Sequence, residues 1–304
     1  MRKYLFLLMA FAVLADCEKS PSSPKLKERK DIVLTKSQKE VFSKGKTFAF
    51  NLLKEVYPRD TKQEVFISPL SMSCALSMLS NGASGKTFSE IANALYFKGI
   101  WTTKFPESGT KPMPFHSLGG KDVTKDFMNA ELPCKLGYST ELTAQMCELP
   151  FGNKAFVFDI LLPDENVDFD AFVAGLDAEK WDSAISKLSS QEDLRVSIPK
   201  MDLSFTAERN ILIPALQSLG IVSAFNASAD FSAMSNIAVF IDSVIQKTRF
   251  RMDEDGAEAA AVTVITGRNL ASGEPFIADH PFVYAIREIS TNTILFLGAY
   301  RGLE

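Results

Sequence analysis

Side chains that do chemistry are sparse in this chain. It holds two histidines, His116 and His280, in 304 residues. Neither stands at ligand spacing from a cysteine or from the other histidine, so no metal or cofactor site is expected. "GASG" (82–85) fails as a nucleophile elbow, because Gly-x-Ser-x-Gly needs a glycine where Lys86 stands. A serine nucleophile would also need a histidine base in reach. Gly85, Lys86 and Thr87 end like a phosphate-cradling loop. That pattern needs glycine at Ser80 and a strand before it, where the periodicity here reads as helix. A glycine turn between two helices explains the segment more simply. Carboxylates are plentiful, yet no pair stands apart from a solvated surface. Enzymatic chemistry is therefore not expected, and a nucleotide-dependent enzyme using 85–87 is the weakest reading.

One segment does break local rules. "DEDGAEAAAVTVITGRNLASGEPF" (253–276) sets helix-favouring alanines directly before a strand-favouring Val-Thr-Val-Ile-Thr run, and then becomes a polar loop. Conflicts of this kind concentrate at functional sites. A helix end followed by an edge strand is the plainer account.

Several elements must position that segment. An amphipathic helix is expected over 37–56, with Val41, Phe42, Phe48, Phe50, Leu52, Leu53 and Val56 on its apolar positions. "VFISP" (65–69) is a short buried strand stopped by Pro69. Residues 71–80 form a helix with Cys74 as a buried thiol, and 88–95 form another. Strands are expected over 94–101, 146–151, 155–163, 194–205 and 237–252, and helices over 168–175, 178–187 and 213–219. Helices and strands mix without a regular βαβ rhythm, which predicts an α+β class.

The formal net charge of −4 excludes a broad basic footprint for nucleic acid, and 46% hydrophobic residues supply a sizeable core. Residues 1–15 read as an export signal, with Arg2 and Lys3 before a continuous apolar run. "LADC" (14–17) resembles a lipobox with Cys17 as the lipidation candidate; Val13 and Ala15 fit ordinary cleavage. Residues 1–16 are thus assigned to the signal, 17–36 to a polar tether and 37–304 to one domain. An extracellular or cell-envelope location follows, with a membrane met only through a lipid anchor. A Cys134–Cys147 bridge is open in an oxidising compartment, although sequence does not establish pairing.

Four ordered stretches together resemble the serpin family. They are "FISPLSMSCALSMLSNGASGKTFSEI" (66–91), "YFKGIWTTKF" (96–105), "IDSVIQKTRFRMDEDGAEAAA" (241–261) and "FIADHPFVYAIREISTNTILFLGAY" (276–300). The resemblance implies mixed helices and sheets with an exposed reactive loop. It also implies a non-enzymatic inhibitor of serine proteases, with cysteine proteases as further targets, acting as a monomer. In such inhibitors, protease cleavage of the bait loop lets its hinge slide into the central sheet, trapping the acyl-enzyme. The hinge would comprise Glu254, Gly256, Ala257, Glu258, Ala259, Ala260 and Ala261, and the sheet-opening region Ser68, Ser71, Asn93 and Gln246. The family's loop length puts the reactive bond at Leu270–Ala271. That favours chymotrypsin-, elastase- or subtilisin-like targets, or trypsin-like ones if Arg268 is used.

The residues suit that role. Strand side chains alternate faces, so Ala257, Ala259, Ala261, Thr263 and Ile265 would share one side and Glu258, Ala260, Val262, Val264 and Thr266 the other. Ala257 stands where the inhibitory hinge usually has Thr or Ser. A larger departure is a missing block of helices and central-sheet strands, with the junction near 93–96 at "NAL". The central sheet is therefore expected to be incomplete, with no strand on one side of the insertion gap. Trapping should then be impaired, leaving a protease substrate or a non-inhibitory binding module on the same scaffold.

Overall fold

The computed structural model describes residues 27–80, 91–93, 97, 99–232, 236–237, 239–257 and 274–303. In chain order its first elements are α1 (Lys36–Val56), β1 (Val65–Ile67), α2 (Pro69–Ser80), β2 (Ile91–Asn93), β3 (Gly99–Ile100), β4 (Lys111–His116) and β5 (Asp122–Ser139). Next come β6 (Ala144–Phe151), β7 (Phe156–Pro163), α3 (Phe169–Gly175), α4 (Ala178–Ile185), β8 (Ser189–Pro199), β9 (Met201–Ala207) and α5 (Arg209–Ser218). The last five are β10 (Val244–Met252), β11 (Gly256–Ala257), β12 (Phe276–Ile277), β13 (Phe282–Glu288) and β14 (Thr293–Tyr300). The class is α+β.

Local chemistry explains the boundaries. A capping box starts α1: Thr35 Oγ1 accepts from Gln38 N, and the Gln38 side chain accepts from Thr35 N. The helix buries Ala49, Phe50, Leu52, Leu53 and Val56 in its second half. Val41, expected on the apolar face, is exposed. Pro69 ends the buried strand β1 and opens α2, a position where its missing N–H costs nothing. Cys74 is exposed rather than buried. It lies two residues from the buried Met72, on the other side of the helix.

β1-β14-β13-β7-β6-β5-β8-β12 form one large sheet, with β4 added on β5. The nearly all-apolar β7 is buried throughout most of its length, between β6 and β13. The expected strand over 194–205 is broken at Lys200, which separates β8 from β9 and sends β9 into a second sheet. That sheet has the order β2-β10-β9 among the described residues. An aromatic cluster joins the two sheets. Phe250 of β10 packs at 5.2 Å from Phe66, 5.8 Å from Phe158 and 6.1 Å from Tyr284.

A buried ion cluster crosses the large sheet. Arg287 Nε donates to Asp159 at 2.6 Å and Arg287 Nη2 to Glu148 at 2.5 Å. Lys135 adds a contact to Glu148 at 2.7 Å. Burial drives the Asp159 carboxyl above its ordinary value, and Arg287 only partly offsets it. Cys134 and Cys147 are free thiols, not a bridge. The β5–β6 register sets Leu136 opposite Cys147, so the two cysteines sit diagonally. The tether also differs from expectation: residues 27–32 are hydrogen-bonded to Asn153, Lys154 and Ser290 on the body.

Candidate functional site

β10 is the strand on which the site is built. Its residues alternate strictly between buried and exposed from Val244 to Met252. β9 pairs with it antiparallel from Gln246 to Met252. On its other flank β2 pairs with it in parallel, but only over Val244, Ile245 and Gln246. Among the described residues, no strand covers that flank over 247–252. Two expectations change here. Ile91–Asn93 is a strand, not the end of a helix, and it supplies the neighbour of β10 that was expected to be absent. The long strand expected over 237–252 starts only at Val244.

The sheet-opening residues converge at the start of β10. Gln246 Nε2 donates to Ser68 O at 2.9 Å, and Ser68 N donates to Gln246 Oε1 at 3.1 Å. Both side chains are fully buried, so this reciprocal pair satisfies groups that water cannot reach. Ser68 Oγ donates to Leu295 O at 2.9 Å and accepts from Ser71 N at 3.4 Å. Asn93 stands in register with Gln246. Thr248 Oγ1 donates to Phe66 O, tying the middle of β10 to β1.

The hinge begins at a tight turn. Asp253 and Gly256 exchange two backbone hydrogen bonds of 3.1 Å each, leaving Glu254 and Asp255 at the tip. Gly256 has φ +122, and a Cβ there would lie 2.4 Å from Gly99 O, so only glycine fits. Beyond the turn, Gly256 and Ala257 pair antiparallel with Ile100 and Gly99. The hinge root is therefore held between the end of β10, through Asp253, and β3.

A ring of contacts fixes that root. Glu254 accepts from Lys200 Nζ at 2.9 and 3.0 Å and from Thr110 Oγ1 at 2.6 Å. Burial opposes its charge, but these donors outweigh burial and hold the carboxyl below its ordinary value. Trp101 Nε1 donates to Asp253 O at 2.9 Å, Trp101 N to Asp255 O at 3.0 Å and Phe105 N to Glu254 O at 3.1 Å. Lys104 pairs with Asp255. Sequence reasoning found Glu254 and Gly256 but missed Trp101, Thr110 and Lys200. The buried Trp101 in "FKGIW" was the one available signal. Thr110 and Lys200 lie 144 and 54 residues from Glu254, so no local pattern could join them.

Glu258, Ala259, Ala260, Ala261, Arg268, Leu270 and Ala271 lie outside the described residues, as do Cys17 and Gly85–Thr87 as a loop. The two ends of the bait segment are described. β11 pairs with β3, whereas β12 pairs in parallel with β8 of the large sheet. His280 is occupied: Nδ1 lies 2.9 Å from Asp279 Oδ1 and Nε2 2.6 Å from Pro163 O, tying two turns together.

Comparisons with known proteins agree with this architecture. The family profile described as serpin (serine protease inhibitor) matches residues 43–95 and 90–302, two segments that overlap at the junction. Human serpin B8 is 37% identical over 215 residues, covering 69% of this chain and 56% of that protein. Human plasminogen activator inhibitor 2 is 34% identical over 225 residues, covering 71% and 53% respectively. The chain thus spans about half the length of the curated relatives it matches. Among solved structures, maspin superposes with TM-score 0.76 at 22% identity, covering 88% of this chain and 100% of that one. The thermophilic serpin tengpin in its native state gives TM-score 0.74 at 22% identity, covering 92% and 97%. With an ordered hinge turn, a strand flank left open beside it among the described residues and a profile matched along most of its length, the chain belongs to the serpin family.

Proposed function

We propose that this protein presents residues 258–273 as bait to a serine protease, and that after cleavage the hinge folds onto the open flank of β10. The observation that carries the reading is the Asp253–Gly256 turn, which sets a hairpin register before any loop residue is added. Continued along β10, that register sets Ala257 opposite Met252, Ala259 opposite Phe250 and Ala261 opposite Thr248. Those three β10 residues are buried. Glu258 falls opposite Arg251, Ala260 opposite Arg249 and Val262 opposite Lys247, all exposed. Small side chains thus meet the core, and the one acid meets a base.

The same register limits the movement. Among the described residues, no strand stands in the way of 257–262 pairing with 252–247, a travel of roughly 20 Å. Thr263 would then meet Gln246, where β2 is already paired. An acyl-enzyme would be drawn only part of the way and would hydrolyse free. The scaffold is that of a protease inhibitor, and the chain acts on it mainly as a substrate. The overlapping profile segments at 90–95 support a lost block at this junction. Leu270 is the recognition residue and Leu270–Ala271 the bond cut, by chymotrypsin-, elastase- or subtilisin-like enzymes. Export as a monomer, with Cys17 lipidated, completes the reading.

Mixing the purified chain with chymotrypsin tests it. The expected result is a cut in 258–273, release of active protease and no SDS-stable complex. A stable covalent complex would refute the limited-travel reading. An uncut loop would favour the non-inhibitory binding module.

A further inference from the structure

Charge is unevenly distributed along this chain. Residues 27–46 hold seven basic and three acidic side chains, a net of +4, against −4 for the whole chain. Lys30, Lys36 and Lys39 are exposed. Between them in sequence, Ile32 is 55% and Val33 90% exposed. This arm is pinned to the body. Asn153 Nδ2 donates to Lys27 O at 3.0 Å, Arg29 Nη1 to Lys154 O at 3.1 Å and Ile32 N to Ser290 Oγ at 3.0 Å. The two aliphatic side chains are therefore held out at a fixed place. Both also line a groove of about 420 Å³, together with Leu34, Lys39, Phe42 and Lys46.

Folding gains nothing by holding Val33 in water. Exposed aliphatic residues flanked by lysines are the composition of a segment that lies in a lipid headgroup layer. We infer that residues 27–46 dock onto an anionic lipid surface, with Ile32 and Val33 entering the headgroup layer and Lys30, Lys36 and Lys39 meeting lipid phosphates. A sulfated polysaccharide would satisfy the lysines equally but leave the aliphatic pair without a role, so charge and apolarity together favour lipid. The surface goes beyond a membrane contact made only through an acyl anchor. It is also independent of the bait loop.

Sedimentation with lipid vesicles tests this. The full chain carries Cys17→Ser so that no acyl group contributes. Vesicles are phosphatidylcholine alone or mixed with phosphatidylglycerol. Binding is expected on the mixed vesicles, weakening as salt rises. The triple variant K30A/K36A/K39A should bind at least about tenfold more weakly. V33D and the milder V33S should each bind several-fold more weakly, with unchanged circular dichroism. Lys44, which pairs with Glu40 and lies about 140° around the helix from Lys39, is the control, and K44A should bind normally. Equal binding to both vesicle types would overturn the inference. So would full binding by V33D and V33S together with displacement by dextran sulfate, which would assign the lysines to a polysaccharide. Binding that none of these substitutions changes would equally overturn it.

Discussion

The large sheet and the β2-β10-β9 sheet share one aromatic core but are finished differently. In the large sheet, β7, β6 and β13 are paired on both flanks, and even the buried charges are matched, with Arg287 set between Asp159 and Glu148. In the small sheet, the central strand is paired on one flank and left open over 247–252 among the described residues, next to a hinge held by side chains. Stability is concentrated in the first region and capacity for change in the second. Such a division is expected when an element must later accept a new strand.

The largest test of that division is Arg287→Met. It leaves the buried Asp159 without its cation and Glu148 with Lys135 alone, and should cost about 3–5 kcal/mol in urea unfolding. A loss well under this would mean that the large sheet is not the stabilising frame. Gln246→Ala comes next. It strips partners from the buried Ser68 N–H and carbonyl and should cost about 1–3 kcal/mol, loosening the start of β10. Ala259→Glu and Ala260→Glu sharpen the comparison. The first would set a charge against Phe250 and should abolish any gain in thermal stability after loop cleavage. The second faces Arg249 and should keep that gain. Equal behaviour of the two would break the proposed register.

Glu254→Gln has the smallest expected effect, up to about 1 kcal/mol, because Lys200 remains partly exposed. The Glu254 carboxyl is held below its ordinary value in the folded chain. Its contribution is thus complete above the unfolded-chain pKa and is lost as pH falls through the lower folded one. The Trp101 indole resonance, hydrogen-bonded to Asp253 O, should therefore move with an acid midpoint that E254Q removes.

Much of this was legible in the sequence because it is periodic or local. The strand at β10 and the stop at Pro69 each follow from a few neighbouring residues, whereas the need for glycine at 256 comes in part from the distant Gly99. The strand at Ile91–Asn93 was missed because its three residues pair with β10, more than 150 positions away, and their local composition reads as helix. Thr110 and Lys200 escaped notice for the same reason. Cys74 was placed inward because its neighbours are apolar, yet helical geometry turns it away from Met72 and Ala75.

Hydrogen exchange along β10 before and after loop cleavage tests the central claim most directly. The amides of Lys247, Arg249 and Arg251, in phase with the hinge-facing Asp253 N–H, should gain protection once the loop is cut, while those at Val244, Ile245 and Gln246 stay as they were. Unchanged exchange over 247–252 would contradict insertion altogether. Protection spreading through Gln246 to Val244 would mean that β2 yields and the loop travels its full length.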